Sequence, residues 1–384
     1  MVHAVRTGRT LRSVATAFGM SVGTVALWVT RAKGQRLDRV DFADHKPGRP
    51  ANRLGSRMEQ RVLRTRERLR HSVLGEYGDS AIAAALHATS PDAHVPSRAT
   101  IHRVLQRHGA VDAVHRQRRP PPPKGWYLPE VALARAELDT FDFIEDLKIA
   151  DGPLVSILTA TSLHGALANA WVMPRCTAQH TMELLLQRWQ EDGLPGYAQF
   201  DNDTIFQGAH QFADSVGRIT RLCLALGITQ VFAPPREPGL QNSIEGFNAL
   251  WQAKVWRRHR VDNLNALRRI SRAYIAAYRA KTASRADAAP ARQPLPSDFK
   301  LDLHAPLRGT VIYIRRGNDS GAVNLLGRQF PVDPHWTRRL LRCEVDFTLQ
   351  CIRFYALRRR EPEHQPLLKQ VPYLRHDRPF KGVQ

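Results

Sequence analysis

At 384 residues the chain exceeds one ordinary domain, so several modules with separate cores are expected. A formal net charge of +22 points to a polyanionic partner, nucleic acid first; basic residues concentrate in 1–125 and 261–384, whereas acids outnumber them in 126–260. Four cysteines in no CxxC or paired Cys/His spacing argue against a zinc framework or a disulfide scaffold, and the most apolar stretch, 153–173, is interrupted by Ser, Thr, His and Asn, so a soluble, non-exported protein with no membrane partner is expected.

In chain order, 9–34 reads as two short helices about a tight turn. Leu11, Val14 and Ala15 form one apolar face, Gly19 permits the turn, and Ser21 caps a second helix carrying Val22, Val25, Ala26 and Val29. This is the pattern of a helix-turn-helix over 1–40, whose second helix would enter the major groove. Ser21, Thr24 and Trp28, with Arg31 and Lys33 in the basic tail, are its candidate DNA contacts. The Pro/Gly-rich segment 41–56 reads as a linker. The same pattern recurs over 57–115: a basic helix at about 57–75, then a helix with Ile82, Ala85 and Leu86, and a Ser97-capped helix with Ile101, Val104 and Leu105. Arg98, Thr100, His102, Arg103 and Arg107 project from or flank that last helix and are candidate DNA contacts. Residues 116–134 begin with a basic polyproline spacer.

From 135 the pattern changes to strands at 137–146, 153–163 and 166–174, then a helix at 177–193, a strand at 197–202, a helix at 215–227, a strand at 228–235 and a long helix at 243–260. This βββαβαβα order is that of the ribonuclease H-like fold, expected over 135–262. A helical extension and linker occupy 263–305, alternating β segments fill 306–360, and a basic tail covers 361–384. The expected fold class is therefore multidomain: all-α helix-turn-helix modules, a central α/β ribonuclease H-like core and a small C-terminal β-barrel.

Three places carry chemistry. The segment ELDTFDFIED (137–146) sets Asp142 between Phe141 and Phe143; Asp139 and Asp146 compete for its role, and strand alternation alone does not choose, because it puts Asp139 and Asp142 on opposite faces. QFDNDTIFQG (199–208) ends an apolar strand at Asp201, with Asp203 a lesser candidate. APPREPGLQNSIEGFN (233–248) runs from a Pro-rich turn through Pro234, Pro235 and Pro238 to Glu245 in a first helical turn. Strand-end and helix-borne carboxylates of this kind suit hard cations over a phosphodiester.

These segments resemble the catalytic core of DDE transposases and retroviral-type integrases, and the resemblance covers roughly 135–260. It implies Asp142, Asp201 and Glu245 as both the catalytic and the metal-binding set, with Glu245 favoured over Glu237 by its spacing from the Pro-rich turn. It also implies Mg²⁺ or Mn²⁺, as two ions, and a β-barrel after the core like those that follow it in many such enzymes. Asp203 stands where the family usually has Gly, and the region between Asp201 and Glu245 is longer than usual, with the extra residues expected in 207–217. Lys254, Arg257 and Arg258, further along the Glu245 helix, are candidate contacts to the DNA backbone, while Trp251 and Trp256 are expected in the core. The implied activity is that of a bacterial insertion-sequence transposase. It would act on double-stranded DNA, both element terminal repeats and target, as a homo-oligomer on DNA in the cytoplasm, associated with the nucleoid. The alternative is a sequence-specific DNA-binding regulator, or a domesticated transposase without catalysis.

Overall fold

The computed structural model describes residues 1–40, 54–90, 94–111, 124–150, 152–208, 213–234, 237 and 239–374. Pro235 and Pro238, most of the 41–56 linker, and parts of the 116–134 and 361–384 segments lie outside the described residues. The chain divides into two compact units, Met1–Val62 and Leu63–Gln384.

In the first unit, α1 (Val2–Arg6), α2 (Leu11–Phe18) and α3 (Val22–Arg31) bury Val14, Ala15 and Val25 between them. Thr10 caps α2 by accepting from the Ser13 N–H, and Ser21 caps α3 by accepting from the Thr24 N–H, so the first free amides of each helix are satisfied. Gly19 closes α2 at φ 61°, a left-handed backbone that an L side chain would strain. The chain turns through 111° between α2 and α3, within the range of helix-turn-helix pairs. No single helix among the described residues is long and apolar enough to cross a membrane.

The boundary between the units falls within α4 (Ser56–Arg70). The second two-helix segment follows as α5 (Asp79–Thr89) and α6 (Arg98–Arg107), with Ser97 capping α6 and Ile82, Leu86, Ile101, Val104 and Leu105 buried. After α7 (Pro129–Ala132) comes an antiparallel meander of β1 (Leu138–Lys148), β2 (Leu154–Ser162) and β3 (Ala168–Met173). The helix α8 (Ala178–Asp192) leads to β4 (Tyr197–Phe200), parallel to β1. The short α9 (Thr204–Gln207) and α10 (Arg218–Ala225) precede β5 (Thr229–Phe232), parallel to β4. Next are α11 (Asn242–Trp251) and α12 (Leu264–Asp287). The order β3-β2-β1-β4-β5 with these directions is the mixed α/β core expected from the sequence. The helix read as continuous over 243–260 is instead interrupted by a π-type turn at Gln252–Trp256.

The C-terminal strands correct the expected barrel. The segments β6 (Thr310–Arg316), β7 (Ala322–Leu325), β8 (Arg328–Pro331), β9 (Leu340–Asp346), β10 (Cys351–Ala356) and β11 (Leu367–Pro372) fall in and just beyond the range expected for strands. Their pairing puts most of them in the core sheet: β6 runs parallel to β5, and the sheet continues through β9 and β10 to β11, giving nine strands, with β7 and β8 a separate ribbon. The physical reason is that β5 would otherwise present an unpaired edge, which β6 covers. Phe232 of β5 stacks on Tyr313 of β6 at 5.0 Å, and one hydrophobic cluster runs from Phe141 and Trp189 through Val311 to Phe354. Trp251 is fully buried and donates its indole N–H to Ser271, while Trp256 packs at the margin of the adjoining cluster.

Candidate active site

Two parallel neighbours set the geometry. The pairing of β1 with β4 ends at Thr140 opposite Gln199, so in the same register Asp142 and Asp201 follow side by side at the C-terminal edge of β4. An aromatic stack beneath them fixes these strand ends: Phe141 lies on Phe200 at 5.0 Å, Phe200 on Phe206 at 4.8 Å, and Phe143 on Phe206 at 4.9 Å. Glu245 stands in the first turn of α11, exposed to solvent.

Hydrogen bonds orient the two aspartates. Asp142 accepts from the Phe143 N–H at 2.9 Å and from the Asn248 amide at 2.8 Å, and its own carbonyl accepts from the Thr159 hydroxyl. Asp201 accepts from the Asp203 N–H at 3.0 Å, and Asp203 in turn caps α9 through the Ile205 N–H. Asn202 donates to the Ala233 carbonyl and accepts from Arg315 at 2.9 Å, so the loop after β4 is pinned to the ends of β5 and β6.

Burial pushes the Asp142 carboxyl up to about 6, aided by the charges of Asp201 and Glu245 and opposed by its hydrogen bonds to Phe143 and Asn248. Burial also raises Asp201, with the charges of Asp203 and Glu145 adding to it. Among the described residues no ion pair neutralises Asp142, Asp201 or Glu245.

The rival acids are otherwise engaged. Asp139 is fully buried and meets Arg188 (2.9 and 3.0 Å), Arg292 (3.0 and 2.8 Å) and the Trp189 indole N–H (3.2 Å). Burial alone would raise it, but the two guanidiniums outweigh burial and hold its carboxyl well below the usual carboxylate range. Asp146 is exposed at the β1 bulge with φ 58°. Glu237 is paired with Arg316. Two residues that the sequence reading passed over enter here. Asn248 lies three positions after Glu245, on the same helical face, a spacing that was available in the sequence. Glu145 adds a further acid near Asp201, and nothing in the sequence pattern marks it.

The donor set fits a hard divalent cation. Carboxylate oxygens predominate, no cation among the described residues pairs with them, and the amide oxygen of Asn248, a residue only 7% exposed, has no hydrogen-bond partner. No three acidic, His or Cys side chains among the described residues already converge as a ligand set, so the carboxylates are apposed rather than drawn in.

The candidate DNA contacts fall into two groups. In α3, Ser21 and Thr24 bond each other through their hydroxyls at 2.8 Å, and the Arg31 guanidinium lies 5.0 Å from the Trp28 ring; Arg31 and Lys33 are exposed. In α6, Thr100 bonds Ser97 and Arg98 reaches Asp79 at 3.8 Å; Arg103 and Arg107 are exposed and His102 is half-buried. Beyond α11 the structure places two residues differently from expectation. Lys254 donates to the Gly75 carbonyl at 2.7 Å, and Arg258 donates to the carbonyls of Ser72 (2.7 Å) and Arg70 (2.9 Å). Their charges are taken up by main-chain oxygens at and beyond the end of α4. Arg257 is exposed and donates to Gln252.

No protein-family profile matches the sequence, and no curated protein matches it. Among solved structures the chain is similar to a simian T-cell lymphotropic virus intasome in complex with PP2A regulatory subunit B56 gamma, at 13% identity over 69% of this chain and 84% of that one, with a TM-score of 0.32. It is also similar to the catalytic core domain of BIV integrase, at 24% identity over 35% of this chain and 79% of that one, with a TM-score of 0.25. The HTLV-2 integrase catalytic core domain in complex with magnesium matches at 14% identity over 40% and 86%, with a TM-score of 0.27. At such scores the reading of the core rests on its own strand order and carboxylates.

Proposed function

We propose that the protein is a DNA transposase of the insertion-sequence, DDE type, which binds the ends of a mobile element as a homo-oligomer in the nucleoid and joins them to target DNA. The observation that carries this reading is the apposition of Asp142 with Asp201 and Glu245, with no cationic side chain among the described residues paired with them. Asp142, Asp201 and Glu245 would hold Mg²⁺ or Mn²⁺. Such ions, when bound, activate the attacking oxygen and stabilise the leaving 3′ oxygen. The chain's own part is positional. Asn248 fixes the rotamer of Asp142, the Asp203 N–H fixes that of Asp201, and the Phe141, Phe200 and Phe206 stack keeps both strand ends rigid.

Hydrolysis breaks a P–O3′ bond and leaves a 3′-OH at the element end; that hydroxyl then attacks a target phosphodiester and displaces its 3′ oxygen. The two-helix units α2–α3 and α5–α6 are assigned to recognition of the terminal repeats through their second helices. The test uses the DNA flanking the gene with Mg²⁺ or Mn²⁺. The native chain is expected to cleave and join 3′ ends, and the Asp201→Asn form to bind the same DNA without cleaving it. Specific binding without cleavage by the native chain would replace this reading with that of a regulator.

A further inference from the structure

A second charged surface lies on the side of the sheet added by the C-terminal strands. A concave opening of about 650 Å³ has an apolar floor of Trp126, Leu240, Trp336 and Leu357, and is bordered by Gly239 and Leu240 of the loop leading into α11. Its walls carry six arginines, Arg316, Arg338, Arg339, Arg358, Arg359 and Arg360, against two acids, Glu237 and Glu361. Arg316 is held by Glu237, Arg358 reaches Glu361 at 3.1 Å, and Arg338 pairs with Asp319. Arg339, Arg359 and Arg360 have no ion pair or hydrogen bond among the described residues.

The guanidiniums are also pre-positioned. Those of Arg339 and Arg358 converge on one indole, at 4.7 and 5.9 Å from the Trp336 ring, and that ring is locked by its N–H donating to the Leu340 carbonyl. Two like charges held against the same ring repel, and an anion between them removes the repulsion. The competing ion pairs Arg338–Asp319 and Arg358–Glu361 are solvent-exposed and contribute little, so a phosphate displaces them readily. The opening, at about 650 Å³ and with six arginines in its walls, is larger than one inorganic phosphate fills.

We propose that this groove is a phosphodiester-binding surface that holds a strand of nucleic acid by its backbone beside the loop that leads into the Glu245 helix. This rests on the reading of a nucleic-acid substrate, though not on catalysis. The test measures the affinity of the full chain for a duplex of unrelated sequence as a function of NaCl, in EDTA and in the Asp201→Asn background, so that loss of cleavage has no bearing on it. With Arg339→Gln, Arg359→Gln and Arg360→Gln combined, the log–log salt slope should become shallower by roughly 2–3, since each neutralised phosphate contributes about 0.9. Glu361→Gln, which removes a negative charge from the groove wall, should tighten binding severalfold and so decides the matter even if the triple variant folds poorly. An unchanged slope in the folded triple variant, or unchanged affinity in Glu361→Gln, overturns the proposal. Competition by polyglutamate as effective as that by DNA overturns the choice of nucleic acid.

Discussion

Asp139 and Asp142 stand three residues apart on the same strand, the first fully buried and the second half-buried, and their surroundings are opposite. Around Asp139, two guanidiniums and an indole N–H saturate the carboxylate, and the network continues from Arg188 to Asp192 and on to Arg279 of α12. Around Asp142 there is one amide, one main-chain N–H and two further acids. Burial acts to raise both carboxyls, so it is not what sets their opposite shifts apart. The separation lies in charge balance: the first site is closed by its own cations, and the second has no cationic partner among the described residues.

The contrast breaks most sharply at Asp139. Asp139→Ala leaves Arg188 and Arg292 buried without their partner, so a loss of about 3–5 kcal/mol is expected in urea unfolding. A loss below about 1 kcal/mol would show that the network does not hold the fold. Because folding lowers this carboxyl, its contribution is present above the unfolded value and fades as pH falls below it.

Asp142→Asn should act in the opposite direction. Folding raises this carboxyl to about 6, so its charge opposes folding above that pH, and the opposition disappears below the unfolded value near 4. Without divalent cations, the variant is expected to be more stable than the native chain at pH 7.5, on the order of 2 kcal/mol after allowance for partial solvent access, and equally stable at pH 3.5. Equal stability at both pH values would mean that the site is not under charge strain.

The smallest expected effect sharpens the comparison. Asn248→Ala removes a hydrogen bond that lowers Asp142, so the pH midpoint of divalent-cation binding should rise by about half to one unit. A midpoint that stays in place would assign Asn248 to packing of α11 alone.

The core strands and the place of Asp201 were legible because period-two alternation and strand-end turns are local signals. The choice between Asp139 and Asp142 was not, since it depends on Arg188 and Arg292, which lie 49 and 153 positions from Asp139. The same distance problem explains the barrel. Strand content over 306–360 is a local property, whereas the pairing of Val231 with Ile312 joins residues that no local pattern connects. Lys254 and Arg258 read as a basic helix face, and their carbonyl partners at 70–75 come from the far side of the sequence. Asn248 was open to inference from its spacing to Glu245, and was passed over.

On the proposed function, Asp142 and its neighbours are a cation site held in waiting by unbalanced charge. Titration calorimetry with Mn²⁺ between pH 5 and 8 tests it directly. Binding is expected to strengthen as pH rises through about 6 and to be lost in both Asp142→Asn and Asp201→Asn. Binding of equal strength in the native chain and the Asp142→Asn variant, or none in the native chain at pH 8, would contradict it.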